Sequence, residues 1–278
     1  MKIGIIGLGL IGGSLAIDLR SQSHYLLGVS RQEATCNIAV TKGIVDRAST
    51  DLSILKEAEI IFICTPIDKI VTTLKKLIPD LNRETIVTDV GSVKQPIVEA
   101  CNPLWDNFIG GHPMAGTEES GINAARSGLF RGAAYVLTPD CESVHLDKLK
   151  QIVLSLGAIP HVCSPEVHDR AVAWISHLPV MISTTLITAC LTEEDKDTLE
   201  LAQHLASSGF RDTSRVGAGN PELGTMMAQY NNRTLLRSLY RYRDNLDGII
   251  DLVETKNWER LSQILTDNQQ ARPKFLNE

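Results

Sequence analysis

The tightest constraint on this chain lies at its start. Lys2–Ile6 is a short apolar run, followed at once by Gly7-Leu8-Gly9-Leu10-Ile11-Gly12, which opens a second apolar stretch. A strand that turns sharply on glycines into a helix is the first half of a βαβ unit, and the helix N-terminus can hold a pyrophosphate. Gly7 makes the tight turn, Gly9 lets backbone approach a phosphate, and Gly12 lets helix and strand pack closely. Leu10 and Ile11 place their amides at that N-terminus. The glycine pattern alone is weak evidence; the strand before it and the helix after it give it meaning.

Further runs read as strands at residues 25–29, 60–63, 85–88, 108–110, 135–137 and 159–162, with amphipathic stretches at 10–20, 67–78 and 93–104. That alternation predicts βαβ units and a mainly parallel sheet. Ile60-Ile61-Phe62-Ile63 is apolar without alternation, as in a strand covered on both faces. The texture changes at Ser164-Pro165-Glu166: a hydroxyl cap, a first-turn proline and an acid near the positive end of a helix dipole. From there to about Leu265 the periodicity is helical, with an irregular interruption over 209–221, and the residues after Arg272 are expected to fray. The expected fold is an α/β Rossmann domain over 1–163 followed by an all-α domain over 164–278.

Two domains suit 278 residues, and a net charge of −6 argues against nucleic acid or an anionic membrane as partner. Arg237, Arg241 and Arg243 read as a solvated helix face. No signal peptide is legible and no unbroken apolar stretch approaches about 20 residues, so a cytoplasmic protein is expected. The cysteines (Cys36, Cys64, Cys101, Cys141, Cys163, Cys190) show no metal-ligand spacing and read as reduced core residues; no metal is expected.

The second strand of such a domain usually ends in Asp or Glu, which holds the ribose hydroxyls of NAD. Here it ends in Ser30-Arg31-Gln32. A carboxylate would repel a 2′-phosphate; a hydroxyl followed by a guanidinium would receive it. NADP is therefore expected over NAD, unless Arg31 is only a surface residue opening the next helix. Cys64-Thr65-Pro66, the run Asp89 to Lys94, and Gly111-His112-Pro113 all fall just past predicted strand ends, where open α/β sheets bind ligands. Cys64, Thr65 and Pro66 are assigned to the cofactor. His112 stands out among the seven histidines by this address. An imidazole, with an ordinary pKa of about 6.5, suits removal of a carbinol proton while hydride leaves carbon. Ser92 can cap a helix, assist His112, or do both. In the helical half, His177 reads as a core histidine or a ligand group, and Arg215 can clamp a carboxylate. Arg211-Asp212 reads as a local ion pair and His168-Asp169 as structural.

Together with Gly7–Gly12, these motifs and the runs 110–117, 175–179 and 212–215 resemble the prephenate/arogenate dehydrogenase family of tyrosine biosynthesis. Residues 205–227 look most like the NADP-dependent arogenate dehydrogenases of cyanobacteria. The resemblance implies oxidative decarboxylation of arogenate or prephenate, with hydride passing to the nicotinamide. It implies His112 as the catalytic base, Ser92 as its assistant, and His177, Arg215, Ser92 and Thr117 as substrate-binding residues. It also implies a homodimer built on the helical half. Arogenate carries an ammonium where prephenate carries a keto group, and Glu118 offers a carboxylate to it. A β-hydroxyacid or imine reductase shares the domain order but commonly relies on a helical lysine. A non-enzymatic NADP sensor leaves His112, Ser92, His177 and Arg215 as coincidences.

The cofactor reading predicts that Arg31→Ala weakens NADP by roughly 1.5–3 kcal/mol, about 10- to 150-fold, and leaves NAD nearly unchanged. Ser30→Asp is expected to shift preference toward NAD. Titration decides it: a wild-type protein that binds NAD as tightly as NADP contradicts the reading.

Overall fold

The computed structural model describes residues 1–140 and 144–276. Cys141 lies outside them. The strands are β1 (Lys2–Ile6), β2 (Tyr25–Val29), β3 (Arg47–Ser49), β4 (Ile60–Ile63), β5 (Ile86–Asp89), β6 (Phe108–Pro113), β7 (Ala134–Thr138) and β8 (Ile159–Val162). They form one sheet in the order β3-β2-β1-β4-β5-β6-β7-β8. Every pairing is parallel except β6 with β7. The mainly parallel Rossmann-type sheet expected from the sequence is thus present. Its order reverses between β1 and β4, the switch point at which such sheets bind ligands.

Helices α1 (Leu10–Ser21), α2 (Glu33–Thr41), α3 (Ile67–Leu77), α4 (Gln95–Cys101) and α5 (Val144–Ser155) cover the sheet. Alternate side chains of one strand feed opposite cores. Ile60 and Phe62 pack with Ile3, Ile5, Leu15 and Leu19, while Ile61 and Ile63 pack with Ile70, Leu74 and Ile97. Both faces being buried explains why these strands show no polar alternation.

Beyond β8 the described chain is helical: α6 (Pro165–Val172), a π-helical turn (Ala173–His177), α7 (Leu178–Leu191), α8 (Lys196–Leu205), α9 (Ser208–Ser214) and α10 (Pro221–Tyr230). Ser164 caps α6 by accepting from the Val167 amide at 3.3 Å. The π turn has a visible cause. Pro179 has no N–H for the carbonyl of Ile175 and its ring crowds that carbonyl, so the preceding turn widens.

Contacts divide the chain into two compact units, Met1–Asn231 and Asn232–Glu278. The second consists of α11 (Asn232–Glu254), α12 (Trp258–Ala271) and α13 (Pro273–Leu276). Between α11 and α12 the chain reverses at Lys256 (φ 54°), and Asn257 caps α12 by accepting from the Arg260 amide. Arg237, Arg241 and Arg243 are exposed on α11, as expected.

Several expectations need correction. Residues 165–191 run as one helical rod of 27 residues, long and apolar enough by composition to cross a membrane. His168, Asp169, Arg170, Ser176 and His177 interrupt the apolar run and conceal its length. The 209–221 interruption is mostly helical, formed by α9 and a 3₁₀ turn, Arg215–Ala218. The tail through Leu276 is helical, not frayed. Cys190 is exposed, whereas Cys36 and Cys101 are core residues. β3 was not anticipated; Arg-Ala-Ser carries no strand signal.

Candidate active site

The glycine-rich turn forms as its spacing demands. Gly7 has φ +97°, and a Cβ there would sit 2.5 Å from the Cys64 carbonyl oxygen. A Cβ on Gly12 would lie 2.1 Å from the Gly7 oxygen, so helix and strand approach as closely as backbone permits. Gly9 differs: nothing lies within 4 Å of its Cβ position, and it caps α1 with no side-chain hydrogen bond. Open space therefore faces the free amides of a helix start, a cradle that fits a dinucleotide pyrophosphate. Thr65, across the switch point, has a buried Oγ1 with no partner. At the end of β2, Ser30 Oγ accepts from the Gln32 amide at 3.4 Å and Arg31 is exposed. Lys69 of α3 is close enough for the Arg31 charge to act on it, and its ammonium pairs with Asp68 at 2.6 Å.

His112 lies within β6, not past its end as expected. β5 and β6 pair in parallel only at Val87–Phe108 and Thr88–Ile109, after which β6 continues as the antiparallel partner of β7, with His112 opposite Val136. Where the parallel ladder stops, side chains take over. Asp89 Oδ1 accepts from the Gly111 amide at 3.1 Å, and Lys94 Nζ donates to the Gly111 carbonyl at 2.8 Å. Lys94 and Asp89 also bond each other, and both are fully buried. Burial pulls the Lys94 ammonium below its ordinary range, with the Asp89 carboxylate opposing. The strap requires glycine at 111, where a Cβ would lie 2.5 Å from the Asp89 carbonyl.

The imidazole of His112 is 8% exposed. Its Nδ1 meets His168 Nε2 at 2.8 Å; its Nε2 has no hydrogen-bond partner among the described residues and is not sealed from solvent. Burial holds its pKa well below the usual value, and the nearby Lys94 charge acts in the same direction. His168 Nδ1 in turn meets Asp169 Oδ1 at 2.7 Å. Asp169 also accepts from the amides of Lys94 (2.7 Å) and Gln95 (2.8 Å), which ties α6 to the start of α4.

His177 is completely buried in the π turn. Asn231 Nδ2 donates to the Asp169 carbonyl at 2.9 Å and to His177 Nδ1 at 3.1 Å. With Nδ1 accepting, the His177 proton sits on Nε2, and that buried N–H has no partner. An unpaired buried donor costs about 1–3 kcal/mol and marks a group kept for something else. Ser92 Oγ, in the turn between β5 and α4, is likewise buried and unpartnered.

The structure thus links His112 to His168, Asp169, Asn231 and His177. It does not draw in Arg215, exposed at the start of the 3₁₀ turn, or Thr117, whose Oγ1 accepts from the Glu119 amide at 3.3 Å. Gly217 packs that turn onto Ser183 and Thr184 of α7. His168 and Asp169 are more than the structural pair expected, and Asn231 gave no sequence signal. A surface hollow of about 740 Å³ beside Arg20, His24 and Lys42 lies at the opposite, amino end of β2. Among the described residues no three His, Cys, Asp or Glu side chains converge as metal ligands.

Residues 15–161 match the profile of the prephenate dehydrogenase nucleotide-binding domain, and residues 164–267 that of its dimerization domain. Over 98% of its length the chain is 32% identical to a prephenate dehydrogenase of Lactococcus lactis, spanning 76% of that protein. Among solved structures it is similar to an arogenate dehydrogenase of Synechocystis: 56% identity, TM-score 0.91, covering 99% of this chain and 100% of that one. A prephenate dehydrogenase of A. aeolicus, in complex with hydroxyphenyl propionate and NAD+, is 25% identical with TM-score 0.92, covering 99% and 98%.

The buried histidines predict a pH dependence. Burial pushes the pKa of His177 from 6.5 down to about 4, against the opposing pull of Asp169. Between these values the unfolded chain binds a proton that the native ring refuses. Stability is therefore full above about pH 6.5 and falls by up to about 1.4 kcal/mol per pH unit as pH drops toward 4. Urea unfolding of His177→Asn should show a shallower dependence over this window. An unchanged slope would mean that His177 does not titrate as a buried neutral ring.

Proposed function

The chain belongs to the prephenate dehydrogenase family, an oxidoreductase family, and from that premise we propose that it converts L-arogenate to L-tyrosine by oxidative decarboxylation with NADP. The observation that carries this reading is the His112 imidazole, buried, with Nε2 left unbonded on the sheet that bears the glycine-rich cradle. Identity of 56% to an arogenate dehydrogenase, against 32% to a prephenate dehydrogenase, supports arogenate. Exposed Glu118 offers its ammonium a carboxylate. Prephenate is the second reading, supported by the names of the L. lactis and Bacillus subtilis relatives.

His112 Nε2 takes the proton of the ring hydroxyl as the carbinol C–H bond breaks. NADP, when bound, supplies the nicotinamide carbon that accepts the hydride. The ring carboxylate leaves as carbon dioxide, its bonding electrons complete the aromatic ring, and the phenolate oxygen takes the proton back from His112. Ser92 Oγ hydrogen-bonds the reacting oxygen, and the His177 Nε2–H donates to a substrate acceptor. Arg215 and Thr117 bind substrate, with Arg215 as the carboxylate clamp. Gly7, Gly9, Leu10, Ile11 and Gly12 cradle the pyrophosphate. Cys64, Thr65 and Pro66 line the cofactor's side of the switch point, and Ser30, Arg31 and Gln32 receive the 2′-phosphate.

Residues 1–163 are proposed as the cofactor domain and 164–278 as the substrate and dimerisation domain. Trp174, Ile175, Leu191, Leu201 and Leu205 are exposed on the helices after Ser164. We assign this apolar surface to an isologous homodimer and not to a membrane, since the dimerization profile begins at residue 164. The protein is proposed to work in the cytoplasm.

His112→Asn is expected to keep cofactor affinity and lose about 10²–10⁴-fold in kcat. Steady-state kinetics with arogenate check this, and a variant within about threefold of wild type sinks the assignment.

A further inference from the structure

His168 and Asp169 stand outside the chemistry assigned above, yet they are bonded to its base. The bonds form a directional series. Both Asp169 oxygens accept backbone amides, Oδ1 from Lys94 and Oδ2 from Gln95, as a carboxylate does, so the proton between Oδ1 and His168 Nδ1 is assigned to His168. A neutral His168 then presents a bare Nε2. That nitrogen lies 2.8 Å from His112 Nδ1, so the proton between the two rings belongs to His112. His112 is left bare at Nε2, which has no hydrogen-bond partner among the described residues.

We propose that Asp169, through His168, holds His112 in the Nδ1-protonated tautomer and so makes its Nε2 a base. His168 and Asp169 are positioning residues, since neither reaches the reacting atoms. When His112 takes a second proton at Nε2, its Nδ1–H still points at a lone pair backed by a carboxylate, and no proton leaves His168. A serine-protease triad uses a carboxylate in the same way on a single ring, and losing the tautomer there costs about 10⁴-fold in kcat. Here a second imidazole carries the instruction one residue further. The inference rests on the reading of His112 as base, but its central observable does not.

The geometry over-determines this arrangement. Both His168 and Asp169 are 2% exposed, so water cannot substitute for either partner. Asp169 is immobilised by the amides of Lys94 and Gln95 and, through its carbonyl, by Asn231. A protonated His168 would instead donate from Nε2, turn His112 into an Nε2–H donor and abolish the base.

The test reads the tautomer directly. The full chain is labelled with ¹⁵N-histidine, and two-bond ¹H–¹⁵N correlations are recorded at about pH 8, where solvent-exposed imidazoles are neutral. His112→Asn and His168→Gln spectra assign the two rings. The wild type should show His112 protonated at Nδ1 and bare at Nε2, with His168 also protonated at Nδ1. His168→Leu, which removes the acceptor, should move His112 toward the Nε2–H form and lower kcat about 10²–10⁴-fold with the cofactor dissociation constant unchanged. His168→Gln, whose carbonyl oxygen can stand where Nε2 stood, should recover most of that loss.

Wild-type His112 protonated at Nε2, or His168 protonated at both nitrogens, overturns the proposal. Equal losses in folded Leu and Gln variants also overturn it, because a merely structural role would not distinguish an acceptor from a methyl group. Should His168→Leu fail to fold, the wild-type spectrum alone decides. Failure of the base reading looks different: His112→Asn would turn over normally whatever tautomer the wild-type spectrum shows.

Discussion

The site depends on the buried bond between Lys94 and Asp89. A parallel sheet lends its strand ends to ligands because the ladder stops there, but ends without a ladder are also free to splay. β5 and β6 share only two paired positions before β6 turns to β7. Lys94 and Asp89 hold both backbone polar groups of Gly111, the residue before His112, and so fix where the imidazole stands. A buried ion pair is a poor source of net stability, because desolvation offsets most of the attraction. Its value here is geometric. Either partner alone would be an uncompensated charge in the core, so the pair and the position of β6 stand or fall together.

From that strap the remaining polar groups follow in order. Lys94 and Gln95 lend their amides to Asp169, and Asp169 reaches His168 and, through its backbone carbonyl, Asn231. Asn231 then sets which nitrogen of His177 carries the proton. The sheet, α6, the π turn and Asn231 are therefore joined at the site by hydrogen bonds with defined donors. Three groups end this series without hydrogen-bond partners among the described residues: His112 Nε2, Ser92 Oγ and His177 Nε2. A lone pair, a hydroxyl and an N–H are what a carbinol oxygen and a neighbouring acceptor would require.

Much of this was legible in the sequence, and the failures share a cause. Gly7 and Gly12 declare themselves because their demands are local: a positive φ and a close approach. Ser164 likewise announces a helix through its neighbours. His168-Asp169 resembled any polar pair near a helix start, because its meaning lies 56 residues away at His112. β6 looked like a three-residue parallel strand, since periodicity reports burial and not the identity of the neighbouring strand. The 165–191 rod was underestimated because its polar residues, bonded inward at His168, Asp169 and His177, broke up an otherwise apolar surface. Asn231, on no motif, could be found only by asking what satisfies His177 Nδ1.

The most direct measurement is the initial rate of the purified protein with arogenate or prephenate, each with NADP or NAD, in all four pairings. The account predicts the highest kcat/KM for arogenate with NADP, tyrosine and carbon dioxide as products, and prephenate as the poorer substrate. Comparable kcat/KM for the two substrates, or a rate with NAD equal to that with NADP, would contradict it.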